Sequence, residues 1–214
     1  CEVSSARKKP LVSLILIFAV TVVADQATKQ WAYHSLLEEE FHERTEEFPV
    51  CGSPAEELAR DRFVRRHRES VTVIDGLWDM RYVENCASAF GLMSRVPESF
   101  RFPFFLVISV LAALFIPYLY RKTPPDQRLM LYALPFVLGG AIGNLIDRMI
   151  YRFVIDFIEW YVEIGGSERH WPTFNIADVA IVIGIGLMIL QMLPRRRGKD
   201  RAAVEAAATE RSSS

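Results

Sequence analysis

LMLYALPFVLGGAIGNLIDRM, residues 129–149, is apolar over most of its length and turns polar only at its end, where Asn144, Asp147 and Arg148 appear. At about 1.5 Å of rise per residue, a helix of this length crosses roughly 30 Å of hydrocarbon. Three further runs have the same character, from about Leu11 to Trp31, Phe102 to Tyr120 and Asn175 to Leu193. The fold class that follows is a mainly α, polytopic membrane protein with four transmembrane helices.

Composition explains why averages hide this. Of 214 residues 51% are hydrophobic, yet 25 Lys and Arg face 26 Asp and Glu, for a net charge of −1. The charges are segregated into the stretches between apolar runs, as expected where lipid solvates part of the chain. A soluble protein is excluded on that pattern, and so is a nucleic-acid partner, since no basic excess exists. The first run follows Arg7, Lys8 and Lys9 like a secretory signal. It is too long, lacks a small-residue cleavage site and carries Asp25 and Lys29 near its far end, so it reads as a retained span.

Positive residues next to the spans set the orientation. The groups Arg7–Lys9, Arg121–Arg128 and Arg195–Arg201 fall on one side if both termini are cytoplasmic. Segments from about His34 to Arg101 and from about Ile150 to Pro172 are then extracytoplasmic. Residues 38–70 hold Glu and Arg at helix-compatible spacings, which predicts one or two surface helices. Val71 to Glu84 reads as a hairpin, with Asp75-Gly76 as the turn dipeptide between β-type runs. The tail from residue 195 to 214 is basic, then Ala- and Ser-rich, and predicts a disordered cytoplasmic extension.

Cys1, Cys51 and Cys86 form no C-x-x-C pair, and the four histidines are scattered, so neither a disulfide framework nor a metal site is signalled. The informative residues are instead the polar groups at the extracytoplasmic ends of the spans, where an ionised side chain is costly without a partner. Asp25, Thr28 and Lys29 end the first span, Asn144, Asp147 and Arg148 end the third, Asp156 lies just beyond, and Asn175 and Asp178 open the fourth. Spacings of three or four place Asp25 with Lys29, Asn144 with Asp147 and Arg148, and Asn175 with Asp178 on shared helical faces. Pairing Lys29 with Asp25 and Arg148 with Asp147 leaves Asp156 and Asp178 without a local cation. Two neighbouring acids can share a proton around a water, one neutral and one ionised, which is the requirement for acid and base attack on a peptide bond.

These residues carry a resemblance. Asp25-Gln-Ala-Thr-Lys29, Asn85-Cys-Ala-Ser-Ala-Phe-Gly91, Gly139-Gly-Ala-Ile-Gly-Asn-Leu-Ile-Asp-Arg148 with Val154-Ile-Asp-Phe157, and Phe174-Asn-Ile-Ala-Asp178 are similar, in order, to four motifs of the lipoprotein signal peptidase (signal peptidase II) family. The resemblance implies a catalytic dyad of Asp156 and Asp178. It also implies substrate-binding or supporting roles for Asn85, Asn144, Arg148 and Asn175, and structural roles for Asp25 and Lys29, while Asp147 with Arg148 reads as a supporting, orienting pair. A small extracytoplasmic β-cradle over residues 71–91 is implied too, in agreement with the hairpin. The implied reaction removes signal peptides from diacylglyceryl-modified prolipoproteins, with no metal or organic cofactor, in the inner membrane. The partners are then the prolipoprotein and membrane lipid, and the expected state is a monomer. Residues 1–194 are read as one membrane-embedded domain and 195–214 as the tail.

Two positions depart from the family pattern: Ala87 and Arg152 stand where glycine is usual, which predicts a different local backbone. The plain alternative for Asn175 and Asp178 is a helix cap, worth roughly 1 kcal/mol, and both roles can coexist. The alternative in another class is a proton-coupled transporter using the same carboxylates. Against it, these acids cluster at one face rather than the midplane, and no inverted repeat is visible.

Overall fold

The computed structural model describes residues 11–36, 64–66, 70–85 and 98–193. Four helices carry it: α1 (Leu11–Leu36), α2 (Glu98–Lys122), α3 (Arg128–Tyr151) and α4 (Ile176–Met192). Among the described residues, α1, α2 from Pro103, and α3 are long and apolar enough to cross a membrane. α4 is apolar beyond Asp178 in its first turn and shorter, 17 residues, or about 25 Å. Val12 and Val182 are 80% and 69% exposed on the outside of the helices, as expected where lipid is the solvent.

Glycines let the helices approach. A Cβ at Gly139 would fall 2.8 Å from Thr21 of α1, one at Gly143 would collide with the Asp25 carboxylate, and one at Gly140 with the carbonyl of Ala177 in α4. Small residues therefore open α3 to α1 on one side and to α4 on the other, the way membrane helices pack without a hydrophobic driving force. On the α2 side, Ile116, Tyr120, Leu131 and Leu134 form a buried apolar cluster.

A sheet covers one end of the helices. Its strands are β1 (Val64–Arg66), β2 (Val71–Ile74), β3 (Trp78–Asn85), β4 (Val154–Ile164) and β5 (Ser167–His170), all neighbours antiparallel. Their order is β1-β3-β4-β5, with β2 on the same edge of β3 as β1. The expected hairpin is present, and Gly76 at its turn has φ +72, a conformation glycine adopts without steric cost. Ala32, Leu36, Tyr82, Phe153, Ile155, Phe157 and Ile158 form the buried cluster that seats this sheet on α1. Each large side chain so buried contributes about 1.5–3 kcal/mol.

Three readings need correction. α1 continues past Trp31 to Leu36, because Ala32 and Leu36 face the sheet rather than lipid. Val64–Arg66, inside the stretch expected to be helical, is a strand; the free edge of β3 supplies hydrogen bonds that a short local helix does not outweigh. Residues 154–170, expected as a connecting segment, form the longest strand and a second hairpin. The rest of the 38–70 stretch expected as surface helices, apart from Ser70, residues 86–91 of the second motif, all three cysteines and the tail lie outside the described residues.

Candidate active site

α3 ends at Tyr151, and Arg152 turns the chain into β4 with φ +70 and ψ −5, its N–H donating to the Arg148 carbonyl at 3.1 Å. This is the left-handed conformation that glycine adopts most readily, so the Arg at this position takes up the glycine-type turn at a cost of about 1–2 kcal/mol. The other such position, Ala87, lies outside the described residues. β4 then runs inward, and Asp156 is 2% exposed.

The return segment is pinned beside it. Phe157 and Ile158 N–H donate to the Phe174 carbonyl at 3.1 and 2.9 Å, and Phe174 N–H donates back to Ile158 at 3.0 Å. One residue later Asn175 caps α4. Its side chain accepts from Asp178 N–H at 3.0 Å, and Asp178 Oδ2 accepts from Asn175 N–H at 3.3 Å. The capping box read from the sequence is present, and it delivers Asp178 to Asp156.

Amides hold the two carboxylates. Asn85 Nδ2 donates to Asp156 Oδ2 at 2.8 Å and Asn175 Nδ2 to Asp156 Oδ1 at 2.7 Å. Asn144 Nδ2 donates to Asp178 Oδ1 at 2.9 Å. Burial, first, and the charge of Asp178, second, push the Asp156 carboxyl well above the usual carboxylate range; the bonds from Asn85 and Asn175 and the charge of Lys29 oppose this only in part.

Behind the amides is a buried ion cluster. Lys29 Nζ lies 2.9 Å from Asp25, 3.0 Å from Asp147 and 2.9 Å from Asn144 Oδ1. Asp25 also accepts from the Ala177 N–H of α4 at 2.9 Å, and Asp147 from the Ile155 N–H of β4 at 3.0 Å. The cluster therefore anchors both elements that carry Asp156 and Asp178. Asp147 pairs with Lys29 and not with Arg148, contrary to the expectation. Adjacent helical residues point in different directions, and Arg148 donates to the Asn144 carbonyl at 3.1 Å with its guanidinium 4.5 Å from the Phe105 ring centroid.

Asp25, Lys29, Asn85, Asn144, Asp147, Asp156, Asn175 and Asp178 are thus one connected network, and Arg148 lies at its edge. Thr28 is turned away, donating to carbonyls of its own helix at 2.7 and 2.9 Å. Gln26 was missed: its amide donates to Asp25 at 3.1 Å, to the Gly143 carbonyl at 3.2 Å and to Asp147 at 3.0 Å. An uncharged polar residue within the polar end of an apolar run was the signal available.

Asp156, Asp178 and Asn85 open onto a cavity of about 560 Å³, whose remaining wall includes Trp160, Trp171, Phe174, Val179 and Val182. Two neighbouring carboxyl groups, one of them held well above the usual range by burial, thus face an apolar groove lined by α4, an arrangement suited to acid–base hydrolysis.

Comparison with known proteins gives the class a family. The family described as Signal peptidase (SPase) II matches residues 17–194. The lipoprotein signal peptidase of Anaeromyxobacter sp. (strain Fw109-5) is 38% identical over 195 residues, 91% of this chain and 89% of that one. That of Geobacter sulfurreducens is 40% identical over 131 residues, 61% of this chain and 78% of the relative. A solved bacterial membrane enzyme superposes with TM-score 0.61 at 25% identity, covering 86% of this chain and 90% of that chain. A second such enzyme superposes with TM-score 0.62 at 24% identity, over 89% and 98%, a likeness of fold. The chain belongs to the signal peptidase II family. It is a bacterial membrane peptidase, and the transporter reading is not supported.

Proposed function

We propose that this peptidase cleaves diacylglyceryl-modified prolipoproteins on the N-terminal side of the lipidated cysteine, with Asp156 and Asp178 as the catalytic pair. The observation that carries the assignment is that three asparagines from three elements hold these carboxylates on one apolar cavity. In this reading Asp178 takes a proton from water, which attacks the scissile carbonyl carbon. Asp156 gives its proton to the carbonyl oxygen, and collapse of the resulting gem-diol returns a proton to the leaving amine. No step calls on a metal or organic cofactor.

Asn85, Asn144 and Asn175 orient the acids and contact substrate, Arg148 flanks the site, and Asp25, Lys29 and Asp147 brace it. The enzyme lies in the inner membrane as a monomer surrounded by lipid, with both termini cytoplasmic and the site at the periplasmic face. Residues 1–194 form the membrane-embedded domain and 195–214 its tail. The Lys and Arg distribution supports this orientation.

The test is a gel-shift assay on a diacylglyceryl-modified prolipoprotein with purified protein. Asp156→Asn and Asp178→Asn are each expected to slow cleavage by about 10²–10⁴-fold while keeping the wild-type melting temperature within a few degrees. Full activity in both variants overturns the dyad, and no cleavage of any lipidated substrate by wild type overturns the function.

A further inference from the structure

β4 outruns the helices it covers. Its first six residues, Val154–Glu159, are buried and its last five are not. Alternate residues of a strand share a face, so Trp160, Val162 and Ile164 continue the side of β4 that carries Asp156. Register places Arg169 of β5 opposite Val162, and Trp171 N–H donates to the Trp160 carbonyl at 2.7 Å, which adds both to that side. Trp160, Val162, Ile164 and Trp171 are 51%, 45%, 65% and 55% exposed.

The other side of the same hairpin is polar: Tyr161, Glu163, Glu168 and His170. His170 stacks on Tyr161 at 5.5 Å between centroids and lies 3.2 Å from Glu168. An apolar side of this size, left open beside a polar one, asks for a defined occupant.

Continuity identifies it. Trp160 and Trp171 line one cavity with Val182 and Ile183 of α4, and Val182 and Ile183 are exposed on the outer surface of that helix, where lipid is the solvent. The apolar side of the hairpin is therefore an extension of a lipid-facing surface. Its rings are tryptophans, which favour the headgroup level, and Arg169, opposite Val162 in register, stands on the same side. Depth is limited, because an open strand edge is not tolerated in the hydrocarbon core.

We propose that the β4–β5 hairpin is an interfacial anchor, with Trp160, Val162, Ile164 and Trp171 at the acyl boundary of the bilayer and Arg169 at lipid phosphate. Because β4 also carries Asp156, the anchor sets the depth of that carboxylate relative to the membrane surface.

The test uses full-length protein with its three cysteines replaced by Ser, in phosphatidylcholine–phosphatidylglycerol vesicles, spin-labelled at Ile164→Cys or Glu163→Cys. Power saturation is expected to show the label at 164 relaxed several-fold more by oxygen than by a polar nickel chelate, and the label at 163 the reverse; Val162→Cys should repeat the result for 164. Equal relaxation of 163 and 164 by the chelate overturns the proposal. So does a label at 164 shielded only after lipidated substrate is added, which would make the face a substrate groove. Should the cysteine-free background not fold, benzoylphenylalanine at 164 in the natural chain is expected to crosslink to lipid and at 163 not to; a protein adduct instead overturns it.

Discussion

Asn144 and Asn175 illustrate how single side chains acquire a direction. Each amide has an acceptor end and a donor end, and neighbours decide which way it turns. Lys29 and Asn175 both aim N–H groups at Asn144 Oδ1, at 2.9 and 3.1 Å, so its Nδ2 faces Asp178. The Asp178 N–H occupies Asn175 Oδ1, so that residue's Nδ2 faces Asp156. Lys29→Met removes the charge between two buried carboxylates and is expected to destabilise by about 3–5 kcal/mol, read as a lower melting temperature in detergent with loss of cleavage. Asn85→Ala tests the proton on Asp156. The Asn85 bond favours the ionised form, so its loss raises the Asp156 pKa further, and the alkaline limb of the kcat/KM profile, which belongs to the pair, moves to higher pH; a shift to lower pH contradicts the assignment. Stability carries the same sign. The native state holds a proton that the unfolded chain releases near pH 4, so stability from this group is full below about pH 4 and is lost as pH rises through the raised native value. Wild type should lose melting temperature relative to Asp156→Asn over that window.

At the scale of elements, α3 is the spine against which α1 and α4 are registered. Gly140 meets the Ala177 backbone, two residues after the Asn175 cap, whereas a Cβ at Gly186 meets nothing within 4 Å. Gly140→Leu is therefore expected to displace α4 and with it Asp178, lowering both melting temperature and cleavage rate. Gly186→Ala should leave cleavage unchanged and stability equal or up to about 1 kcal/mol higher. Equal effects of the two would mean that close α3–α4 contact does not position the site. Arg152 makes a related point: the turn from α3 into β4 is set by where Asp147 and Ile155 must meet, and the side chain at 152 conforms to it.

Across the whole molecule, the sheet closes one end of the helices and its buried cluster ties β4 to α1. In the proposed orientation, which the Lys and Arg distribution supports, that end lies outside the cytoplasm. Alkaline phosphatase fused after Gly165 is expected to be active in cells, and the same reporter fused to the C-terminus inactive; the opposite pattern would invert the orientation.

Sequence alone determined the membrane class, the apolar runs and most of the polar cluster, because apolar length and isolated charges are local properties that lipid penalises directly. Hairpin and cap were legible for a similar reason: Asp75-Gly76 and Asn175 with Asp178 act within a few residues. The strand at 64–66, the β4–β5 hairpin, the role of Gln26 and the pairing of Asp147 with Lys29 in addition to Asp25 were not legible. Each depends on which groups arrive from more than a hundred residues away or from a sheet edge. Only the tertiary structure decided them, since hydrogen-bond geometry and helix rotation, unlike hydropathy, are fixed after the elements have packed.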